Sequence, residues 1–357
     1  MDGIVLYFIA FIAASVVTLL LIPGILALAH RNQWYDKVDE RKVHNTDTPR
    51  LGGVGMFASF LIVGAIASIA AGTVLGTNTD SESYGGLIAV GLGVVLIHAV
   101  GLVDDFTNIR ALVKLVGQIL AAVVVTLGGL SLHQIGLPGF GIYLNFGIFA
   151  YPVTVVWIIS LSNALNLVDG LDGYAGGIAG NAALFYGVVA TVQGNHIQAL
   201  LSFILAGAIL GFLVFNFPPA RIFMGDSGSL FLGFALAVIP LVPGDDGQRT
   251  MSLLVPISVL MIPILDTIYA IVRRQRQGRP FYSPDREHLH HKLLDLGMAP
   301  RTILAVVYSY CFVMGLGALV VSKLDSPATL FGLLALWIVA TALFFVPARI
   351  YRHRAPS

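Results

Sequence analysis

The chain has 357 residues, of which 57% are hydrophobic and only 11% charged, with a formal net charge of +1 at pH 7. A soluble domain carries about a quarter charged residues, so this balance excludes one, and it gives no ground for a nucleic-acid partner. The single cysteine, Cys311, lies in an apolar stretch, which excludes a disulfide framework and a thiolate zinc site.

Apolar segments of about twenty residues, each long enough to cross a bilayer, recur from end to end. They predict eleven spans, near 5–29, 51–72, 84–103, 112–129, 146–162, 177–193, 198–215, 228–243, 250–272, 301–322 and 327–347. The first is too long and too poor in N-terminal charge for a cleaved signal peptide. The fifth is the weakest, because Pro152 interrupts it. The expected fold is an all-α polytopic membrane bundle forming one integral membrane domain over 1–357. Alternate connections share a side, and all of the twenty Lys and Arg except Arg249 and Lys323 fall on one of them or just inside the helix ends facing it. The positive-inside rule makes that side cytoplasmic, with the N-terminus outside and the C-terminus inside.

Each dense polar cluster falls on the cytoplasmic side. The first, residues 35–53, holds Arg41, Lys42, His44 and Arg50 ahead of a Gly-Gly helix start. It reads either as a topology-setting basic loop or as an anion site, cations beside a glycine-opened helix N-terminus. The second, 101–114, carries Asp104 and Asp105 at the end of an apolar span. Adjacent carboxylates repel, which raises one pKa or invites a cation. On one continuous helix Lys114 would lie about 80° from Asp104 and about 180° from Asp105, with Asn108 within about 60° of Asp105.

The third cluster, NALNLVDGLDGYAGG, spaces Asn163, Asn166, Asp169 and Asp172 by three residues directly after a predicted span. Carboxylates survive beside such a run only in a wet or protein-lined place. The fourth places Asp226 between two glycines in MGDSGS, either as a helix N-cap or as a ligand to a hard cation such as Mg²⁺. The fifth, 273–297, begins with Arg273, Arg274, Arg276 and Arg279 and carries Arg286, His288, His290 and His291. No cysteine or fourth histidine nearby supports zinc there, whereas imidazoles can donate hydrogen bonds to phosphate. Asp266, about two turns inside its span, reads as buried support, and His98 as a hydrogen-bonded bundle residue. Acids for a divalent cation and many phosphate-seeking cations on one face suit phosphoryl transfer from a soluble donor to an acceptor held in the membrane.

VDERKVHNTDTPRLGG, GLVDDF with Asn108 and Lys114, NALNLVDGLDGYAGG, FMGDSGSL and DREHLHH occur in this order. The set resembles the polyprenyl-phosphate N-acetylhexosamine-1-phosphate transferases over nearly the whole chain. The spacing of His288, His290 and His291 resembles the bacterial branch that uses UDP-GlcNAc for teichoic acid or O-antigen lipids. The resemblance implies an enzyme of the bacterial cytoplasmic membrane in which undecaprenyl phosphate attacks the β-phosphorus of UDP-GlcNAc, giving undecaprenyl-diphospho-GlcNAc and UMP. It implies Mg²⁺ as cofactor, with Mn²⁺ the alternative, and is compatible with a homodimer among membrane lipids.

By motif position, Asp226 would be a direct metal ligand, Asn163 would lie beside the metal, and Asp169 would stand in the surrounding active site. Asp172 would help hold uridine, and Asp104 or Asp105 would orient or deprotonate the lipid phosphate, with Lys114 steadying phosphate charge. Arg41, His44 and Arg50 would serve substrate binding. Asn108 and the loop from Arg286 to His291, including His288 and His290, would meet the sugar and diphosphate. The rivals are the same reaction with UDP-GalNAc, a 6-deoxy sugar or UDP-MurNAc-pentapeptide, and, more remotely, an ion-coupled transporter. Transporter sites sit near the midplane at repeat interfaces, whereas these acids cluster at span ends and no inverted repeat is evident.

Overall fold

A computed structural model describes residues 2–35, 48–74, 81–243, 250–279 and 288–350. Arg41, His44 and Arg286 lie outside the described residues. Along the chain run α1 (Asp2–Asn32), α2 (Gly52–Val74), α3 (Ser81–Thr107), α4 (Ala111–Leu127), β1 (Gln134–Leu137), β2 (Ile142–Asn145), α5 (Ala150–Val168), α6 (Tyr174–Gln193), α7 (His196–Asn216) and α8 (Gly225–Val238). Then follow β3 (Thr250–Met251), α9 (Leu254–Val259), α10 (Met261–Arg276), α11 (Leu289–Asp295), α12 (Pro300–Leu324) and α13 (Pro327–Ile350). Seven of the described helices are long and apolar enough to cross a membrane: α1, α2, α3, α5, α6, α7 and α12. The protein is an all-α polytopic membrane bundle with one small sheet.

α8 forms the centre of the bundle. Each side chain from Ser227 to Val238 is buried, and Phe231 meets Phe57 and Phe60 edge-on at 6.0 and 5.6 Å between ring centroids. α3, α5 and α2 pack around it, while α1 packs most extensively on α7. That contact is close because α7 presents Gly207 and Gly211 to the α1 backbone, the way small residues bring helices together where lipid supplies no hydrophobic drive. Ser15 Oγ donates to the Gly207 carbonyl at 2.9 Å. The outer faces carry exposed Ile4, Phe8, Leu20, Ile69, Leu120 and Leu127, the apolar surface a bilayer would cover.

In three of the predicted spans the boundaries move for a local reason. α5 begins at Ala150, so Pro152 falls in its first turn, where a missing N–H costs little. The helix then runs on to Val168 and carries Asn163 and Asn166, which the sequence reading placed in a connection. α3 likewise runs to Thr107 and holds Asp104 and Asp105 in its last turns. The ninth predicted span is broken at Leu260 (φ −101°, ψ 17°) into α9 and α10. Pro263 has no N–H to give the Val259 carbonyl one turn back, so a continuous helix loses a rung there.

The sheet is an addition to the expected all-α fold. Its order is β2-β1-β3, with β1 antiparallel to β2 and parallel to β3 through the pairs Gln134–Thr250 and Ile135–Met251. It ties the connection after α4 to the one before α9, two connections that the alternation of spans assigns to the same side.

Candidate active site

α3 and α4 do not continue one another. The chain turns through Asn108, whose φ of +51° is left-handed and whose N–H donates to the Asp104 carbonyl at 2.8 Å. Asn and Asp tolerate this conformation better than other side-chain-bearing residues. The turn folds α4 back along α3. The continuous-helix angles expected for Lys114 therefore do not apply, and Asn108 stands exposed in the turn instead of on a helix face shared with Asp105.

The fold-back brings Lys114 between two acids. Its Nζ lies 2.6 Å from Asp104 Oδ2 and also pairs with Asp226 Oδ2 on α8. The Asp104 and Asp226 carboxylates approach each other within hydrogen-bonding range. Asp104 Oδ1 accepts the Ile109 N–H at 2.9 Å, which pins the turn. Asn166 reaches Asp226 from α5, and its Nδ2 also donates to Ser229 Oγ at 2.9 Å.

Asp105 faces the other way. Its two oxygens accept the N–H groups of Asp226 at 2.7 Å and Ser227 at 3.0 Å, so it caps the N-terminus of α8 from a neighbouring helix. The preceding Gly225 has φ +72°, and a Cβ there would sit 2.7 Å from Asp105 Oδ2. The Gly-Asp-Ser-Gly turn thus has its cap supplied by Asp105, which leaves the Asp226 carboxylate for Lys114 and the site.

The Gly-Gly start of α2 does not present free N–H groups to an anion. Gly52 and Gly53 donate to the carbonyls of Phe223 and Met224, each at 2.9 Å. A side chain on Gly53 would collide with the Gly228 backbone. Their small size serves the docking of α2 on α8, and the phosphate-cradle reading of these two residues is corrected. Arg50, directly before them, stands near enough to Asp169 for its charge to act on that acid.

Asp169 ends α5 and Asp172 lies in the turn that follows. Burial, then the charges of Asp226 and Asp105, push the Asp169 carboxyl up to about 8, against the opposing pull of Arg50. Asp172 Oδ2 accepts the Ala220 N–H at 2.9 Å. Asn216, which the sequence reading missed, locks the same region: Oδ1 takes the Gly173 N–H at 2.9 Å and Nδ2 donates to the Ile222 carbonyl at 2.8 Å. From α12, Tyr308 Oη donates to the Gly173 carbonyl at 2.6 Å. A polar Asn closing a long apolar helix was the available signal.

The histidines reach this loop from α11. His288 Nδ1 pairs with Asp266 Oδ2 at 2.9 Å, and the Leu289 N–H donates to Asp266 Oδ1 at 3.0 Å, so Asp266 on α10 is the buried support expected of it. His290 is 1% exposed and packs against the Gly170 Cα and, at 5.5 Å between centroids, against Tyr174. Burial and the neighbouring His291 hold its imidazole down to about 3, so it is neutral at physiological pH. The His291 ring follows at 4.2 Å from His290. His98 Nδ1 donates to the Ser227 carbonyl at 3.1 Å and its ring stacks on Phe57 at 3.8 Å, a bundle residue.

The structure therefore gathers Asp104, Asp105, Lys114, Asn166, Asp169 and Asp226 at one end of the bundle, with Arg50 nearby. Among the described residues no three His, Cys, Asp or Glu side chains form a self-sufficient metal cage. Mg²⁺ does not need one: it takes one or two carboxylates, keeps waters and completes its shell with substrate phosphate oxygens. Asp226, with the Asn166 amide beside it, would suit a cation of that kind.

The sequence profile of glycosyl transferase family 4 matches residues 87–243. A Bacillus subtilis (strain 168) protein named "Probable undecaprenyl-phosphate N-acetylglucosaminyl 1-phosphate transferase" is 33% identical over 338 residues, spanning 95% of this chain and 89% of its own length. The chain belongs to this family of membrane phosphosugar transferases. The decaprenyl-phosphate N-acetylglucosaminephosphotransferase of Mycobacterium tuberculosis (strain H37Rv) is 35% identical over 361 residues, 93% of this chain and 87% of that one. The phospho-N-acetylmuramoyl-pentapeptide-transferase of Halalkalibacterium halodurans is 31% identical over 301 residues, 79% of this chain and 87% of that one. Within the matched segment of this chain, Asp104, Lys114 and Asp226 belong to three different helices that meet only in the folded bundle.

Proposed function

We propose that the chain transfers GlcNAc-1-phosphate from UDP-GlcNAc to undecaprenyl phosphate in a bacterial cytoplasmic membrane, opening the synthesis of a cell-envelope polysaccharide. A phosphate oxygen of the lipid bonds to the β-phosphorus of the donor, the bond from that phosphorus to the bridging oxygen breaks, and UMP leaves with the electron pair. The observation that carries this reading is Lys114 held between Asp104 and Asp226 at the bundle end, in a chain similar throughout to enzymes named for that transfer.

The residues have distinct tasks. Lys114 supplies positive charge where phosphoryl oxygens must be neutralised, the main requirement of such a transfer. Asp226, with Asn166 in the last turn of α5 and Asn163 one turn before it, would hold Mg²⁺, whose contribution is to neutralise donor phosphate charge and favour departure of UMP. Asp105 sets the angle of α8 and through it the Asp226 carboxylate. Asp104, which shares Lys114 with Asp226, suits the orientation of an incoming phosphate. A phosphate monoester is already largely ionised near pH 7, so positioning counts for more than a dedicated base. The histidine loop, docked on Gly170, would meet the sugar and diphosphate, and Asp172 the uridine.

The finer topology belongs to the same reading: eleven crossings, N-terminus outside, with α9 and α10 making one broken span. The sheet supports it, since β1 and β3 join two connections expected outside while the acids gather at the opposite helix ends. Homodimerisation is carried by family resemblance and is open to cross-linking in the membrane. A second reading uses UDP-MurNAc-pentapeptide, since the H. halodurans relative is named for phospho-N-acetylmuramoyl-pentapeptide transfer; the spacing of His288, His290 and His291 favours UDP-GlcNAc.

The test is release of UMP by purified protein with undecaprenyl phosphate and Mg²⁺, given UDP-GlcNAc, UDP-GalNAc or UDP-MurNAc-pentapeptide separately. UMP from UDP-GlcNAc alone is the expected result. UMP from another donor moves the specificity, and no UMP from any donor, with chelator making no difference, removes the enzyme reading in favour of a transporter.

A further inference from the structure

Gln118 has no place in the roles above, yet it is 2% exposed in a largely apolar helix, one turn after Lys114. A carboxamide buried this way is costly unless both its ends are bonded. Both are bonded to one residue: Gln118 Nε2 donates to Asn163 Oδ1 at 3.2 Å, and Asn163 Nδ2 donates to Gln118 Oε1 at 2.7 Å. Two amides paired this way could flip together without penalty. The flip is blocked because Asn163 Nδ2 also donates to the Ile159 carbonyl at 2.8 Å, a group that can only accept. Both N–H bonds of Asn163 are thereby spent, and Oδ1 keeps one acceptor position. Asn163 itself is only half-buried, and it sits one turn before Asn166, which reaches Asp226.

We infer that Gln118 is a positioning residue for Asn163, fixing the amide so that its oxygen is available to the cation that Asp226 holds. The inference rests on the metal assignment proposed above. Partners that orient a metal-adjacent group commonly matter about tenfold to a hundredfold in metal affinity. A purely structural clamp between α4 and α5 would alter stability and leave that affinity alone.

The experiment measures Mn²⁺ binding to the full-length detergent-purified protein by electron paramagnetic resonance, alongside the Mg²⁺ dependence of turnover and the melting temperature. Gln118→Met should weaken Mn²⁺ binding by about tenfold to a hundredfold and raise the half-saturating Mg²⁺ concentration by the same factor, with turnover largely recovered at saturating Mg²⁺. In an Asn163→Ala background the same substitution should add nothing. Unchanged Mn²⁺ affinity in folded Gln118→Met, or an equal loss with and without Asn163, overturns the role. Asp226→Asn separates the two layers. If it binds Mn²⁺ normally, the cation site and this inference both fall; if it loses Mn²⁺ while Gln118→Met does not, only the positioning role falls. Where Gln118→Met does not accumulate folded, the cycle is run with Gln118→Glu, which keeps an acceptor for Asn163 Nδ2 but loses the donor to Oδ1. A loss that vanishes with Asn163→Ala supports the role, and one that persists overturns it.

Discussion

At the scale of single residues, the two adjacent acids Asp104 and Asp105 have different environments because consecutive helical side chains point about 100° apart. One faces Lys114 and the other the N-terminus of α8. Lys114→Met should therefore lower kcat on the order of 10²–10³-fold, the usual loss when one charge-stabilising donor is removed from a transition state. The folded protein should still bind nucleotide, and near-normal turnover in the variant would refute the assignment. Asp169 gives a pH prediction. Its carboxyl titrates near its ordinary value of 3.8 when unfolded and near 8 when folded. The folded form then holds a proton that the unfolded form has released. Stability is unpenalised below about 4, falls as pH rises to about 8 and is level above that. With chelator and no nucleotide, Asp169→Asn should flatten the melting temperature over this window and exceed the parent at pH 9. Parallel curves for the two proteins would mean that Asp169 is ionised in the fold.

That Asp104, Asp105, Lys114, Asp169 and Asp226 belong to one polar site was legible in the sequence, since acids and amides at the ends of apolar runs have few other uses. Which acid faces which partner was not. It depends on the left-handed turn at Asn108 and on the close seating of α8, neither of which has a periodic signature. Gln118 escaped for a related reason. A lone glutamine in an apolar helix reads as an incidental polar residue until a second helix is known to present an amide opposite it.

At the scale of elements, the site depends on how closely α8 approaches its neighbours. A Cβ on Gly101 of α3 would sit 2.6 Å from the Ser227 backbone, whereas Gly91 on the same helix has nothing within 4 Å. Gly101→Ala should cost about 1–3 kcal/mol by overpacking and depress turnover by moving Asp226 and the Asp105 cap. Gly91→Ala should be neutral, or stabilising by up to about 1 kcal/mol through helix propensity. Thermal unfolding beside initial rates checks both, and equal effects at the two glycines would refute the packing argument. Predicted helix ends erred where polar residues continued a helix beyond its apolar run, as in α3 and α5. Hydropathy marks the membrane core, while the backbone ladder continues as long as its hydrogen bonds do.

At the scale of the whole molecule, the sheet and the acids lie at opposite ends of the bundle. Phe140, 43% exposed in the β1–β2 turn, should label from outside intact cells as Phe140→Cys with a membrane-impermeant thiol reagent. Gln277→Cys, exposed after α10, should label only after permeabilisation. The native Cys311 is buried and should contribute little background. Labelling of Gln277→Cys in intact cells would reverse the orientation.

The packing of α1 on α7 also has a consequence for synthesis. Ser15 and Gly207, which meet across that contact, are 192 residues apart in sequence. A ribosome adding about 5–20 residues per second leaves an interval of roughly 10–40 seconds between making one and making the other. During that time α1 has α2 beside it, through Ser59 and the Ala14 carbonyl, and the face meant for Gly207 has no native partner. α1 is thus made long before its principal neighbour, and its α7-facing side must wait in lipid or in an insertion chaperone until α7 arrives.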